Sequence, residues 1–200
     1  MRRTDTSTGL RGLAALALCV LVLAPLAVPT ATVAADATSR RVPGHAPTIV
    51  AAGDIACAMG RVKSASTCHQ METSRMALRL RPTAVLPLGD NQYDVGALAH
   101  FRAVYGPSWG RMRSITRPIP GNHEYGYDAD KVTPTGGVGY FRYFGRRSHP
   151  LDPGCTRLCT AWYSYRLGAW HVVALDSQCV VVGGCAPGSA QYRWLRRDLR

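Results

Sequence analysis

Short apolar runs and amphipathic stretches alternate along most of this chain. Thr48 to Ala52 and Ala84 to Leu88 are apolar segments of strand length, and Glu72 to Leu80 between them repeats its apolar residues at helical spacing. The pattern predicts strand, helix, strand. A second helix is predicted over Ala97 to Tyr105, followed by a short strand near Pro118 to Pro120. Tyr163 to Leu167 and Trp170 to Leu175, joined by Gly168-Ala169, read as an antiparallel hairpin. Ser189 to Arg200 is amphipathic, with Tyr192, Leu195 and Leu199 on one face. Such alternation is the grammar of an α/β domain.

The amino-terminal segment is of another kind. Arg2, Arg3 and Arg11 accompany an unbroken apolar run from Leu13 to Leu23, then Pro25 and Pro29, and Val33-Ala34-Ala35 offers small residues for cleavage before Asp36. Residues 1–35 therefore read as a secretory signal peptide, and the product as secreted. The apolar run is shorter than the ~20 residues that cross a bilayer, so no stable membrane anchor is expected. Residues 36–47 are small, polar and aperiodic, a flexible leader into the domain that occupies 48–200. Beyond the signal stand six cysteines, Cys57, Cys68, Cys155, Cys159, Cys179 and Cys185. In an exported chain an even count reads as disulfides, and pairing 57/68, 155/159 and 179/185 is the simplest connectivity. Cys155-x-x-x-Cys159 also has the spacing of zinc ligands, but its Pro/Gly-rich loop and an oxidising compartment favour the disulfide.

Charge narrows the partners. Lys and Arg number 24 against 12 Asp and Glu, a net charge of +12 that favours anionic ligands. The arginines are scattered, without a basic block or an aromatic-basic motif, which argues against nucleic acid. Arg146-Arg147 and Arg196-Arg197 read as solvated faces.

The candidate chemistry lies where the apolar segments end. Gly53-Asp54-Ile55-Ala56 closes the first, Gly89-Asp90-Asn91-Gln92-Tyr93 the second, and Gly121-Asn122-His123-Glu124 the third. Ligands of α/β sheets gather at the carboxyl ends of strands, and a glycine there lets the backbone turn so that the next side chain projects into a shared crevice. Here those side chains are Asp, Asp and Asn. Carboxylate and amide oxygens near an imidazole suit manganese, iron or zinc. Gly-Asp after a single strand is commonly a turn or a helix cap; three such loops in order are a more specific signal.

These blocks resemble the first three motifs of the calcineurin-like metallophosphoesterases, over about Thr48 to Asp176. The resemblance implies a two-sheet sandwich flanked by helices, in four layers αββα, and hydrolysis of phosphate esters by two metal ions. It implies that Asp54 binds the first metal, Asp90 bridges both and Asn122 binds the second. His123 is then the catalytic residue that contacts the phosphate and assists the leaving oxygen, and Glu124 holds its loop. Ala56 stands where the family often has a histidine. Tyr93, three residues after the bridging aspartate, resembles the purple acid phosphatase branch, in which a phenolate binds iron(III); the alternative for Tyr93 is a packed aromatic.

One departure qualifies the resemblance. The family's later blocks, a single histidine and a Gly-His-x-His segment, are not in this sequence. His45 lies in the leader, His69 follows Cys68, His100 is in a helix pattern, His149 precedes a proline and His171 is in a strand. The expectation is a domain whose C-terminal portion is missing, with weak metal binding and negligible turnover by these 200 residues alone. Two classes remain open: a secreted phosphoesterase acting on a small phosphate ester, and a non-catalytic exported remnant of the fold.

Overall fold

A computed structural model describes residues 46–127 and 135–200. The expected signal peptide and nearly all of the expected leader lie outside the described residues. Strand β1, Ile49–Ala52, pairs in parallel with β2, Ala84–Pro87, in the register Ile49 to Ala84 through Ala52 to Pro87. Helix α1, Gln70–Arg79, connects them and buries Ser74 and Ala77. Each matches the apolar pattern of the sequence within two residues.

The expected third strand is reduced to two parallel bridges, Val85 to Thr116 and Leu88 to Ile119. Arg117 and Ile119 donate their N–H groups to the carbonyls of Val85 and Pro87, at 2.8 and 3.0 Å. Between and after these donors stand Pro118 and Pro120, which have no N–H. The backbone thus follows β2 at strand distance without forming a continuous ladder.

The helix expected over Ala97 to Tyr105 exists in altered form. A short α2, Leu98–His100, widens into a π-helical turn, Phe101–Tyr105. A 3-10 helix, Trp109–Ile115, and two α-helices, α3 at Asn122–Tyr125 and α4 at Val138–Phe144, are not announced by the apolar pattern. The π turn and α4 build the core. Phe101 stacks on Tyr143 with centroids 4.9 Å apart, and Phe144 meets Tyr140 at 5.1 Å and Tyr105 at 5.5 Å in tilted and edge-on contacts. Aromatic pairs of this kind add ~0.5–1.5 kcal/mol each beyond the area they bury.

Strands β3, Tyr163–Leu167, and β4, Trp170–Ala174, form the expected antiparallel hairpin, and α5, Ala190–Asp198, is capped by Ser189, whose hydroxyl accepts from the Tyr192 N–H. The described residues therefore make a mixed α and β domain with one small parallel and one small antiparallel sheet. His171 of β4 contacts Asp198 of α5 at 3.0 Å. Three disulfides, Cys57–Cys68, Cys155–Cys159 and Cys179–Cys185, have Cα separations of 5.3, 5.6 and 5.2 Å. The simplest pairing is the one formed. Such bridges fit an oxidising, extracellular setting. Among the described residues no helix is long and apolar enough to cross a membrane.

Candidate functional site

Parallel pairing of β1 and β2 delivers two loops side by side. Beyond the strands the pairing continues, because Ile55 and Ala56 donate N–H groups to the carbonyls of Asp90 and Asn91, at 3.0 and 3.1 Å. Asp54 and Asp90 occupy equivalent positions in these loops, and both have left-handed backbone, with φ of 52° and 47°. That region is sparsely used by residues other than glycine and costs on the order of 1 kcal/mol or more each, so it persists only where neighbours enforce it.

The neighbours are three buried polar side chains. Gln92 donates through Nε2 to the Cys57 carbonyl at 2.7 Å, and its Oε1 accepts from the Tyr105 N–H at 3.2 Å. Asn91 donates to the Ile119 carbonyl at 3.0 Å. Glu124 accepts from the N–H of Gln92 at 3.0 Å and from that of Gly121 at 2.8 Å. Together they tie the second loop to the first, to the aromatic core and to the third. Glu124 thereby joins the second loop to the turn that carries Asn122 and His123. Asn91 and Gln92 stand in the second sequence block without an assigned role; their signal is two amides placed where an apolar strand turns back into the core.

Around this frame stand the candidate ligands. Tyr93 donates its phenol to Asp54, and its ring lies 4.2 Å from that of His123. Asp90 Oδ1 accepts from the His123 N–H at 3.1 Å. His123 is buried and its Nδ1 bonds the Asp94 carbonyl. A carbonyl can only accept, so the ring carries its proton on Nδ1. Asn122 sends its amide N–H to the Tyr127 carbonyl, which commits Nδ2 and leaves Oδ1 as the side chain's acceptor atom. Burial first, then the Asp54 hydrogen bond and the charges of Asp90 and Asp54, hold the Tyr93 phenol protonated far above its ordinary range.

Two carboxylates, a phenol and an amide are oxygen donors of the kind that hard and borderline cations take. Contacts join Asp54 to Tyr93 and Asp90 to the His123 turn. No cluster of three or more carboxylate, imidazole or thiolate ligand atoms forms at these loops among the described residues. The donor set is all oxygen and supplies fewer ligands than two cations take. Of the remaining histidines, His149 is buried against Ser148, His100 meets the Tyr93 carbonyl and His171 meets Asp198. Asp152, Cys155 and Cys159 do cluster within 4.8 Å, but the two sulfurs are joined in a disulfide, which removes the thiolates that zinc requires.

Beside Asp54 and Tyr93 opens a cavity of about 320 Å³, walled by the Cys57–Cys68 bridge, His69, Thr73 and Trp109. Its floor is the first loop, which gives a small ligand room next to the candidate donors. Comparison of the chain with protein-family models, with curated proteins and with solved structures finds no match in any of the three.

Burial gives Glu124 a measurable signature. Its carboxyl is pushed up to about 7, by desolvation first, against the Gly121 and Gln92 N–H bonds that favour the anion and together with the charge of Asp90. A folded value above the unfolded one means that folding favours the protonated form. The stabilisation is whole below the unfolded carboxyl range near 4.5 and is lost as pH rises through about 7, a difference of about 3 kcal/mol by linkage. Asp176 is raised by burial too and adds with the same sign. Urea unfolding of the metal-free chain should therefore show higher stability at pH 5 than at pH 8. Glu124→Gln should flatten that slope, and an unchanged slope would refute the assignment.

Proposed function

We propose that this chain belongs to a secreted, metal-dependent phosphoesterase of the calcineurin-like type, with the strand-end loops contributing its first group of metal ligands. One observation carries the reading: three glycine-led loops, each following a β1- or β2-aligned segment, lie together with Asp54 against Tyr93 and Asp90 against the His123 turn. The two-sheet αββα sandwich is the fold this reading implies for the whole domain, and iron, zinc or manganese are its metals. Export through residues 1–35 accords with the three disulfides.

In this reading Asp54, Asp90, Tyr93 and Asn122 hold the cations, which when bound polarise the phosphoryl oxygens and acidify a water molecule. The protein's own contribution is positioning. Asp90 is oriented by the His123 N–H, and the Asp94 carbonyl keeps the His123 proton on Nδ1, so any proton exchanged with the ester passes through Nε2. The cavity beside Asp54 accommodates the organic part of the ester.

Metal binding tests the proposal more directly than turnover. The purified 200-residue chain should bind manganese, zinc or iron(III) weakly, in a manner abolished by Asp54→Ala and by Asp90→Ala. Hydrolysis of a chromogenic phosphate ester should stay far below the ~1 per second of an ordinary enzyme, because imidazole ligands are absent from the described site. A chain that binds none of these metals, or binds them unchanged in both variants, would leave the non-catalytic reading standing.

A further inference from the structure

A second cavity, of about 270 Å³, shares no residue with the strand-end loops. It is lined by Arg117, Arg146 and Arg147 together with Pro150, Tyr163 and Tyr165, and by Ser164. The sequence pattern gives the Arg146-Arg147 pair to solvent, and the fold brings a third guanidinium to it. No carboxylate of the described residues lies within 4 Å of any of the three. Asp198 accepts from the Ser164 hydroxyl at 2.7 Å through Oδ1, and its Oδ2 lies 3.0 Å from His171 Nε2.

Arg117 is the informative member. It is half-buried, and its guanidinium lies over the Tyr165 ring, 5.2 Å from the centroid. Its backbone N–H is spent on Val85, and its side chain makes no hydrogen bond to a described residue. Its guanidinium nitrogens are not among the buried atoms that lack a partner, so water reaches them and can be exchanged for the oxygens of an anion. The Tyr165 contact holds the guanidinium at the cavity wall, and a guanidinium fork is suited to bidentate capture of an oxyanion. Arg146 and Arg147, on a 3-10 turn at Gly145–Arg147, add exposed charge at the rim.

The rest of the wall is largely aromatic, with Pro150 and Ser164. Tyr163 is buried, its hydroxyl committed to the Pro118 carbonyl at 2.8 Å, so it presents ring to the cavity side of the hairpin, next to Tyr165 at a centroid distance of 6.1 Å. A void of ~150 Å³ suffices for benzene. We infer that this cavity binds a small organic anion with one aromatic ring, its oxyanion paired with Arg117, Arg146 and Arg147 and its ring against Tyr163 and Tyr165. The site is independent of the phosphoesterase reading.

Benzenesulfonate is the appropriate probe, since a phosphoesterase cannot hydrolyse its carbon–sulfur bond. Equilibrium dialysis or calorimetry with the 200-residue chain should show saturable one-to-one binding, with inorganic sulfate bound more weakly. Arg146→Ala/Arg147→Ala, both exposed, should weaken benzenesulfonate at least tenfold, as should Arg117→Ala. Arg196→Ala/Arg197→Ala, an exposed arginine pair on α5, should leave binding unchanged and so control for net charge. Absence of saturable binding, or an equal loss in the α5 pair, would overturn the site. Sulfate binding as tightly as benzenesulfonate would overturn the aromatic class. If Arg117→Ala fails to fold, the exposed double variant decides alone.

Discussion

Gly121→Ala is expected to destabilise the domain by about 3 kcal/mol or more and to abolish metal binding with it. A methyl group there would sit 2.2 Å from Asp90 Oδ1 and 2.5 Å from the Asp90 backbone nitrogen. The first neighbour is a side chain that can rotate only by leaving the His123 N–H. The second is backbone and cannot yield without parting the two loops. Parting them also removes the Gln92 N–H from Glu124, which would leave a buried carboxyl with only the Gly121 donor of its own turn. Gly89, at φ 92°, faces Gly121 from the other side, and a methyl on it would meet Gly121 Cα at 2.9 Å. The loops therefore touch glycine to glycine, and no side chain fits at either position. Gly154, where an added methyl would meet nothing within 4 Å, is the control and should change stability by no more than ~0.5 kcal/mol as alanine. Urea midpoints of the three proteins decide the matter: a Gly121→Ala midpoint equal to that of Gly154→Ala would show that the loops are not in contact.

That contact between loops is legible in the sequence only in part. Apolar runs of strand length, each followed by Gly-Asp, mark where the chain turns, and cysteine proximity is enough for all three disulfides. Helix α4 escapes because Val138-Gly-Tyr-Phe-Arg-Tyr-Phe is aromatic on most of its faces, which erases the 3.6-residue contrast that marks an amphipathic helix. It is buried nearly all round, and its partner is the equally aromatic π turn. The strand near Pro118 fails for a local reason, the two missing N–H groups, which leave only isolated bridges beside β2. At the site, motif spacing singles out Asp54, Asp90, Tyr93, Asn122 and His123, of which Asp54 and Tyr93 line the cavity. Asn91 and Gln92, which hold those residues in place, face inward, and nothing in their identity separates a buried stitching amide from an exposed turn amide. The arginine cavity is illegible altogether, since Arg117 and Arg146 come together only through the hairpin packing beside the proline segment.

Asp90→Ala should lower metal affinity by about 100-fold or more, whereas Tyr93→Phe should cost zinc or manganese no more than about tenfold. Position explains the difference. Asp90 lies in the middle loop, with its carbonyl on the Ile55 N–H at 3.0 Å and its carboxylate on the His123 N–H at 3.1 Å, so it is the one charged donor attached to both flanking loops. Its loss removes a full negative charge and the bond that orients the His123 turn. Tyr93 contributes a neutral phenol, held protonated by burial and by its bond to Asp54. For a divalent cation that phenol competes for Asp54 as much as it assists, so replacing it with phenylalanine frees a carboxylate oxygen while removing a weak ligand. Iron(III) is different, because only a strongly acidic cation can draw the proton from a phenol so disfavoured as an anion. The iron(III)-loaded chain should accordingly show a visible charge-transfer band that Tyr93→Phe eliminates and Asp90→Ala weakens through lost affinity. Asp90→Asn separates charge from shape: it retains an oxygen for the His123 N–H, and it should still bind metal far more weakly than the wild type. Equal losses in Asp90→Ala and Tyr93→Phe with zinc would show that Asp90 holds no privileged place between the loops.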